Sequence, residues 1–334
     1  MKTEIIVLNE HRNVTLTTYI QEVGGRFDYI EKRPAIIILP GGGYQYLSHR
    51  EAEPVVYPYL TAGYQVFVLR YSVGEHATWP NPLNDFDEAI NLIRSQSDKW
   101  HVYEDKIAVI GFSAGGHLAS AAATMAKHRP NAALLGYAVT GEDVKGCNST
   151  APDTTKYVDK YTCPCFIFAT RTDALVPIGN SVNFMSALTE AQIAFESHIY
   201  AYGPHGFSTC NSSVLNPNTE ITERTSNWIN DSIGWLKDMF GDFSSTGFSK
   251  PKCSRYSTHD YDEYLSIDSS IGLLLKYKGI NKNLDEILND VCKQGDITAV
   301  SKMTLGALLG FIRYDKGKLS ELNEELKCIK NDKF

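Results

Sequence analysis

Short apolar runs recur along the first two thirds of the chain, at positions 5–8, 14–20, 35–39, 65–69, 107–110, 132–139, 165–169 and 197–201. Most are nearly continuous in Val, Ile, Leu, Ala and Phe, the pattern of strands buried on both faces. Between them lie segments whose apolar residues repeat at helical spacing: 51–60, 82–95, 115–127, 178–190 and 223–240. This alternation predicts an α/β fold, a mostly parallel sheet with helices on both faces. No helix separates the first two runs, so they should form an antiparallel edge. No period of repeat length is evident, and no low-complexity tract. Positions 241–260 are rich in Gly, Ser and Lys without periodicity and read as a linker. Helical patterns return at 264–276, 284–292, 297–312 and 318–329, predicting a small C-terminal all-helical module over 261–334. Some 75 residues bury only a modest core, so packing on the larger domain or on a second copy would help it. A homo-oligomer through this module is therefore expected.

Composition narrows the class. The chain has 334 residues, 43% of them apolar and 21% charged, as in ordinary globular proteins. A net charge of −7 without a concentrated basic run argues against a nucleic-acid partner. The apolar runs are strand-sized, so no membrane association is expected. The N-terminal run is too short, and too soon interrupted by charge at Glu4, for a secretory signal. Seven cysteines are scattered, and the close pair Cys163-Pro-Cys165 lacks a second ligand pair. No metal, no cofactor and a reducing, cytoplasmic setting are the resulting expectations.

The candidate chemistry begins at Gly111-Phe112-Ser113-Ala114-Gly115, which matches G-x-S-x-G. A strand pattern precedes it and a small-residue helix pattern follows. At such a strand-to-helix turn a serine is forced into a strained conformation that presents its hydroxyl. An ordinary βα turn is the bland alternative, yet the strand-before, helix-after context is what the mechanism requires. Ser113 is the candidate nucleophile. After the run at 35–39 stands Pro40-Gly41-Gly42-Gly43-Tyr44, where bare N–H groups could hold a tetrahedral oxyanion together with the N–H of Ala114. A phosphate loop is disfavoured because neither the Walker lysine nor a spaced G-x-G-x-x-G is present. Among nine histidines, His205 lies in the loop after the last strand, flanked by Pro204 and Gly206. His117, on the helix after the serine, should point away and pack. Asp173 follows the run at 165–169; capping of the next helix is its competing role. Asp143 and Asp153 are fallback acids. The order Ser113, Asp173, His205 is the order of α/β-hydrolase triads.

Four blocks carry a family resemblance: "LPGGGY", "LRYSVGEHATWPNPLNDFDEAINLIR", "IGFSAGGHLA" and "DALVP…GPHGF". Positions 30–240 resemble the esterase branch of the α/β-hydrolase superfamily, near acetyl-xylan-esterase-like and hormone-sensitive-lipase-like bacterial enzymes. Pro40 departs from the histidine that many such relatives carry before the glycines. The resemblance implies an α/β-hydrolase catalytic domain over 1–240 and a serine carboxylesterase acting on short acyl esters, O-acetyl groups on xylan-type carbohydrates included. By motif position it implies Gly41 and Gly42 as loop donors of the oxyanion hole, with Gly43 the alternative. The expected partner is a small-molecule or oligosaccharide ester. A peptidase or amidase would share every motif, and a non-catalytic binding module would share the fold. Tyr44, Tyr46 and Trp79 are candidate pocket-lining residues, since pockets are largely apolar and aromatic. Asp85 and Asp87 complement a helix N-terminus. The tail resembles small helical modules appended to some bacterial carbohydrate-processing enzymes.

Overall fold

The computed structural model describes residues 1–294 and 297–332. It divides into two compact units, Met1–Arg255 and a second beginning at Tyr256.

The first unit is built on eight strands: β1 Lys2–Asn9, β2 Val14–Ile20, β3 Arg33–Leu39, β4 Gln65–Arg70, β5 Val102–Phe112, β6 Ala132–Gly136, β7 Cys165–Thr170 and β8 Phe195–Tyr200. They form one sheet in the order β1-β2-β4-β3-β5-β6-β7-β8. β1 pairs with β2, and β2 with β4, in antiparallel fashion. From β4 onwards every pairing is parallel. Each expected strand is present, and the reason is burial. Every residue of β3, β6 and β7 is buried, so these strands need apolar side chains on both faces. Complete burial of one Ile, Val, Leu or Phe contributes about 1.5–3 kcal/mol. On one face Ile36, Ile38, Val66, Val68, Ile110, Leu134 and Phe166 pack under the closing helix Trp228–Phe240. There Trp228 stacks on Phe168 with ring centroids 4.2 Å apart.

Two departures in this unit matter for the site. The run at 132–139 stops being strand at Gly136, because Tyr137 adopts a left-handed backbone with φ 36°. This turns the chain out of the sheet at the carboxyl end of β6. The stretch expected as a linker is tied to the first unit as far as Arg255. Phe248 packs on the core, the N–H groups of Lys252 and Cys253 donate to the Asp238 carbonyl at 2.8 and 3.0 Å, and Ala194 N–H donates to the Arg255 carbonyl at 2.9 Å.

The second unit is helical, with a core that includes Leu265, Ile271, Leu274, Leu284, Leu288, Leu305, Leu309, Leu322 and Leu326. Two expected helices are shortened by caps. The pattern at 264–276 yields only Ile271–Leu274 and a following 3-10 turn, because the Ser270 hydroxyl accepts from Leu273 N–H and starts the helix there. The pattern at 297–312 splits into Ile297–Val300 and Leu305–Phe311, with Thr304 capping the second piece through Ala307 N–H. These two caps expose a duplication that the sequence pattern did not reveal. Ser270 and Thr304 pair across an antiparallel bridge. Ile271 N–H donates to the Met303 carbonyl and Leu305 N–H to that of Ser269; Gly272 N–H donates to Ser301 and Gly306 N–H to Ile267. Every partner is related to its counterpart by the same sequence offset. The unit is two similar halves joined reciprocally about a local two-fold.

Candidate active site

β5 ends at Phe112 and the helix Ala114–Met125 begins two residues later. Ser113 bridges them with φ 54° and ψ −118°, a conformation that L-residues rarely adopt. Such strain costs of order 1–3 kcal/mol. It persists because the backbone is held on both sides: Ser113 N–H donates to the Gly136 carbonyl at 2.9 Å, and His117 N–H donates to the Ser113 carbonyl at 3.0 Å. The flanking glycines are sterically required. A Cβ on Gly111 would lie 2.0 Å from the Gly115 carbonyl oxygen, and one on Gly115 would lie 2.2 Å from that of Leu39.

The three residues singled out as a triad meet here. His205 Nε2 lies 2.9 Å from Ser113 Oγ, and His205 Nδ1 lies 2.7 Å from Asp173 Oδ2. The Asp173 side chain is only 1% exposed. Oδ2 faces the imidazole, while Oδ1 accepts from the loop N–H groups of Leu175 and Val176, both at 2.9 Å. The next helix, Gly179–Glu190, has Ile178 at its N-cap and takes no side-chain cap, so the competing capping role is not filled. The fallback acids are occupied elsewhere. Asp143 Oδ2 accepts from Asn180 Nδ2 at 2.8 Å. Asp153 caps a 3-10 turn through Thr155 N–H and pairs with Lys156 at 3.3 Å.

The glycine loop differs from expectation in one donor. Gly41 N–H donates to Glu51 Oε2 at 2.8 Å, so it is committed away from an oxyanion. Pro40 has no N–H at all. Gly42 and Gly43 N–H find no acceptor among the described residues, and Ala114 N–H stands in the first turn of its helix, where no intrahelical acceptor exists. Gly42, Gly43 and Ser113 line one cavity of about 650 Å³, with Gln45, Tyr46, Arg50, Asp143, Cys147, Leu175, Val176 and His205 among its walls. Tyr46, 64% exposed, is the one candidate aromatic in that wall. Tyr44 is fully buried, and its hydroxyl donates to His117 Nδ1 at 2.7 Å. Trp79 packs edge-on against His117, with centroids 5.5 Å apart. Both belong to a support behind the loop rather than to the cavity.

His117 is the centre of that support, as a packing residue pointing away from Ser113. Its Nε2–H donates to the Pro152 carbonyl at 2.8 Å, which fixes the tautomer and leaves Nδ1 as acceptor for Tyr44. Complete burial lowers its pKa from 6.5 to about 4. Sequence reasoning missed Glu51 altogether. It lies at the start of a segment that reads as an amphipathic helix, and nothing in the pattern marks it as buried.

Among solved structures, an α/β hydrolase enzyme from a Medee basin deep-sea metagenome library is 41% identical, with a TM-score of 0.65 over 72% of this chain and 98% of that one. The chain belongs to the α/β hydrolases. The family model BD-FAE matches residues 28–133 of this hydrolase. An acetyl ester-xyloside bifunctional hydrolase from Caldicellulosiruptor lactoaceticus is 27% identical, with a TM-score of 0.63 over 72% of this hydrolase and 97% of that chain. The acetylxylan esterase of Xylanibacter ruminicola is 27% identical over 218 residues, 58% of this hydrolase and 45% of its own length. The hydrolase spans only 34% and 45% of the two curated relatives that match it over the longest stretch. Its likeness is to esterases, acetylxylan esterases included. No helix among the described residues is long and apolar enough to cross a membrane.

Proposed function

We propose that this hydrolase is a serine carboxylesterase that cleaves short-chain acyl esters, with O-acetyl groups on xylan-type carbohydrates as the substrate class. The observation that carries the reading is the hydrogen-bonded line from Ser113 Oγ through His205 to the buried Asp173 carboxylate. Ser113 Oγ attacks the ester carbonyl as His205 Nε2 takes its proton. Asp173 holds Nδ1–H and offsets the charge on the imidazolium. The N–H groups of Ala114 and of Gly42 or Gly43 receive the oxyanion. His205 returns the proton to the departing alcohol, leaving an acyl-enzyme that water attacks by the same route. The carbohydrate side rests on the acetylxylan esterase and acetyl ester-xyloside relatives and on polar and aromatic groups at the cavity wall, Gln45, Tyr46, Arg50 and Asp143.

A series of nitrophenyl esters from acetate to decanoate, run beside acetylated xylo-oligosaccharides, tests this. Acetate is expected to turn over fastest under subsaturating conditions, and acetate should be released from the oligosaccharides. Faster turnover of decanoate refutes the short-chain preference. Absence of turnover on every ester refutes the esterase reading itself.

A further inference from the structure

We infer that Glu51 is a positioning residue for the reaction proposed above, on which this inference rests: one buried carboxylate ties the oxyanion loop to the histidine loop. Glu51 ends the 3-10 turn His49–Glu51 and is only 3% exposed. Its Oε2 accepts from Gly41 N–H at 2.8 Å, and its Oε1 accepts from the Tyr137 hydroxyl at 2.7 Å. The Tyr137 oxygen in turn accepts from Ser208 N–H at 3.2 Å, three residues beyond His205. Ser208 Oγ closes the circuit by donating to the Arg50 carbonyl at 2.5 Å. The Tyr137 ring meets His205 edge-on, with centroids 5.0 Å apart. Glu51, itself in the segment after β3, therefore bonds the glycine loop of that segment and Tyr137 after β6, and through the Tyr137 hydroxyl it reaches the loop after β8.

The chemistry of the donors explains why that side chain is a carboxylate. Two donors, one backbone N–H and one hydroxyl, approach it from different loops, and only a group with two acceptor oxygens satisfies both. Burying such a group is costly unless its oxygens are bonded, so the arrangement is retained only with both donors in place. The bond to Gly41 also has a direct consequence for the oxyanion hole. A Cβ built on Gly41 would lie 2.6 Å from Glu51 Oε2 and 3.0 Å from Ser113 Cβ, so this glycine is the wall between carboxylate and nucleophile. Drawing its N–H to the Glu51 side fixes the peptide plane from which Gly42 continues. The donors of Gly42 and Gly43 are left to the cavity. Misplacement of a reacting geometry by about 1 Å can cost on the order of a hundredfold in rate.

The test is kcat per active serine, counted by stoichiometric labelling of Ser113 with a fluorophosphonate, for Glu51→Gln, Glu51→Ala and Tyr137→Phe, with KM and thermal midpoint measured beside it. Glu51→Ala should lower kcat per labelled site about a hundredfold with KM changed no more than about twofold. Glu51→Gln should recover part of that loss, since its single oxygen serves one donor while its amide faces the other. Tyr137→Phe, which cuts only the branch to the histidine loop, should fall between wild type and Glu51→Ala. A merely structural role would reduce the thermal midpoint and the labelled fraction but leave kcat per labelled site unchanged, and that result overturns the inference. If Glu51→Ala does not fold, Glu51→Gln and Tyr137→Phe carry the same test, and wild-type kcat in both overturns it. A wild-type chain that neither labels nor turns over any ester overturns the functional reading and this inference with it, whereas active wild type with unaffected variants overturns this inference alone.

Discussion

The two units of the molecule are assembled on opposite plans. In the first, neighbours in space come from far apart in sequence: Ser113 and His205 are separated by 92 positions, and the strand order interleaves β4 between β2 and β3. In the second, Ser and Thr caps start short helices, and two similar halves bond reciprocally across 29 to 39 positions. The difference bears on chemistry. A parallel sheet brings the carboxyl ends of all its strands to one edge, so loops of unrelated sequence can pool a nucleophile, a base and an acid. A duplicated helical unit repeats one set of apolar and capping positions. Among the described residues, it gathers no cluster comparable to Ser113, His205 and Asp173, and neither unit holds a group of three or more potential metal ligands.

The sharpest way to break this contrast is at Ser113, the proposed nucleophile. Ser113→Ala should lower ester turnover by on the order of 10⁵–10⁶ with an unchanged thermal midpoint, because only binding and the oxyanion donors remain. Near-normal turnover in a clean preparation would remove the basis for assigning chemistry to the first unit. Asp173→Asn should cost somewhat less, about 10⁴, since the amide favours the wrong imidazole tautomer. A larger loss in Asp143→Asn or Asp153→Asn would reassign the acid.

A stability effect in the first unit comes from His117. Its pKa is lowered from 6.5 to about 4 by burial, so between those values the unfolded chain binds a proton that the folded chain does not. Stability is therefore full above about pH 6.5 and is lost as pH falls towards 4, by on the order of 3 kcal/mol. Thermal midpoints across this range should show that slope in wild type and a shallower one in His117→Gln. Parallel slopes would place the acid sensitivity elsewhere.

Smaller effects sharpen the account of the second unit. Thr304→Ala should destabilise it by about 1 kcal/mol through the lost cap, and Ser270→Ala by more, because the Ser270 hydroxyl also donates to the buried Asp260 Oδ2 at 2.7 Å. Equal losses in the unfolding of the second unit would show that the Asp260 bond adds nothing to the cap. The smallest expected change is in catalysis on ending the chain after Arg255, where kcat for a nitrophenyl ester should stay within about twofold of the full chain. A folded but inactive truncated protein would bring the second unit into the site. Light scattering of the same protein tests self-association through the helical unit: a lower mass state than the full chain supports it, and an unchanged one refutes it.

The sequence by itself determined the sheet and the order in which chemistry-bearing residues enter it. Buried parallel strands demand continuous apolar runs, so all eight were visible, and Ser113, Asp173 and His205 stood out because each follows such a run. The tight turn around Ser113 was legible for the same kind of reason, since glycines at 111 and 115 are required by contacts with the backbone. Tertiary structure alone decided how donors and acceptors are shared between loops. Whether Gly41 N–H faces a cavity or a carboxylate depends on Glu51, which arrives from a different turn. Whether Tyr44 lines a pocket or braces His117 depends on the helix behind it. The helical duplication is faint in the sequence because the pairing between halves is made by backbone groups, which every residue carries, and the shared residues, such as Gly272 and Gly306 or Leu288 and Leu322, are of common types. Periodicity records which face of an element is buried; it carries no record of which polar group from elsewhere in the chain meets that face.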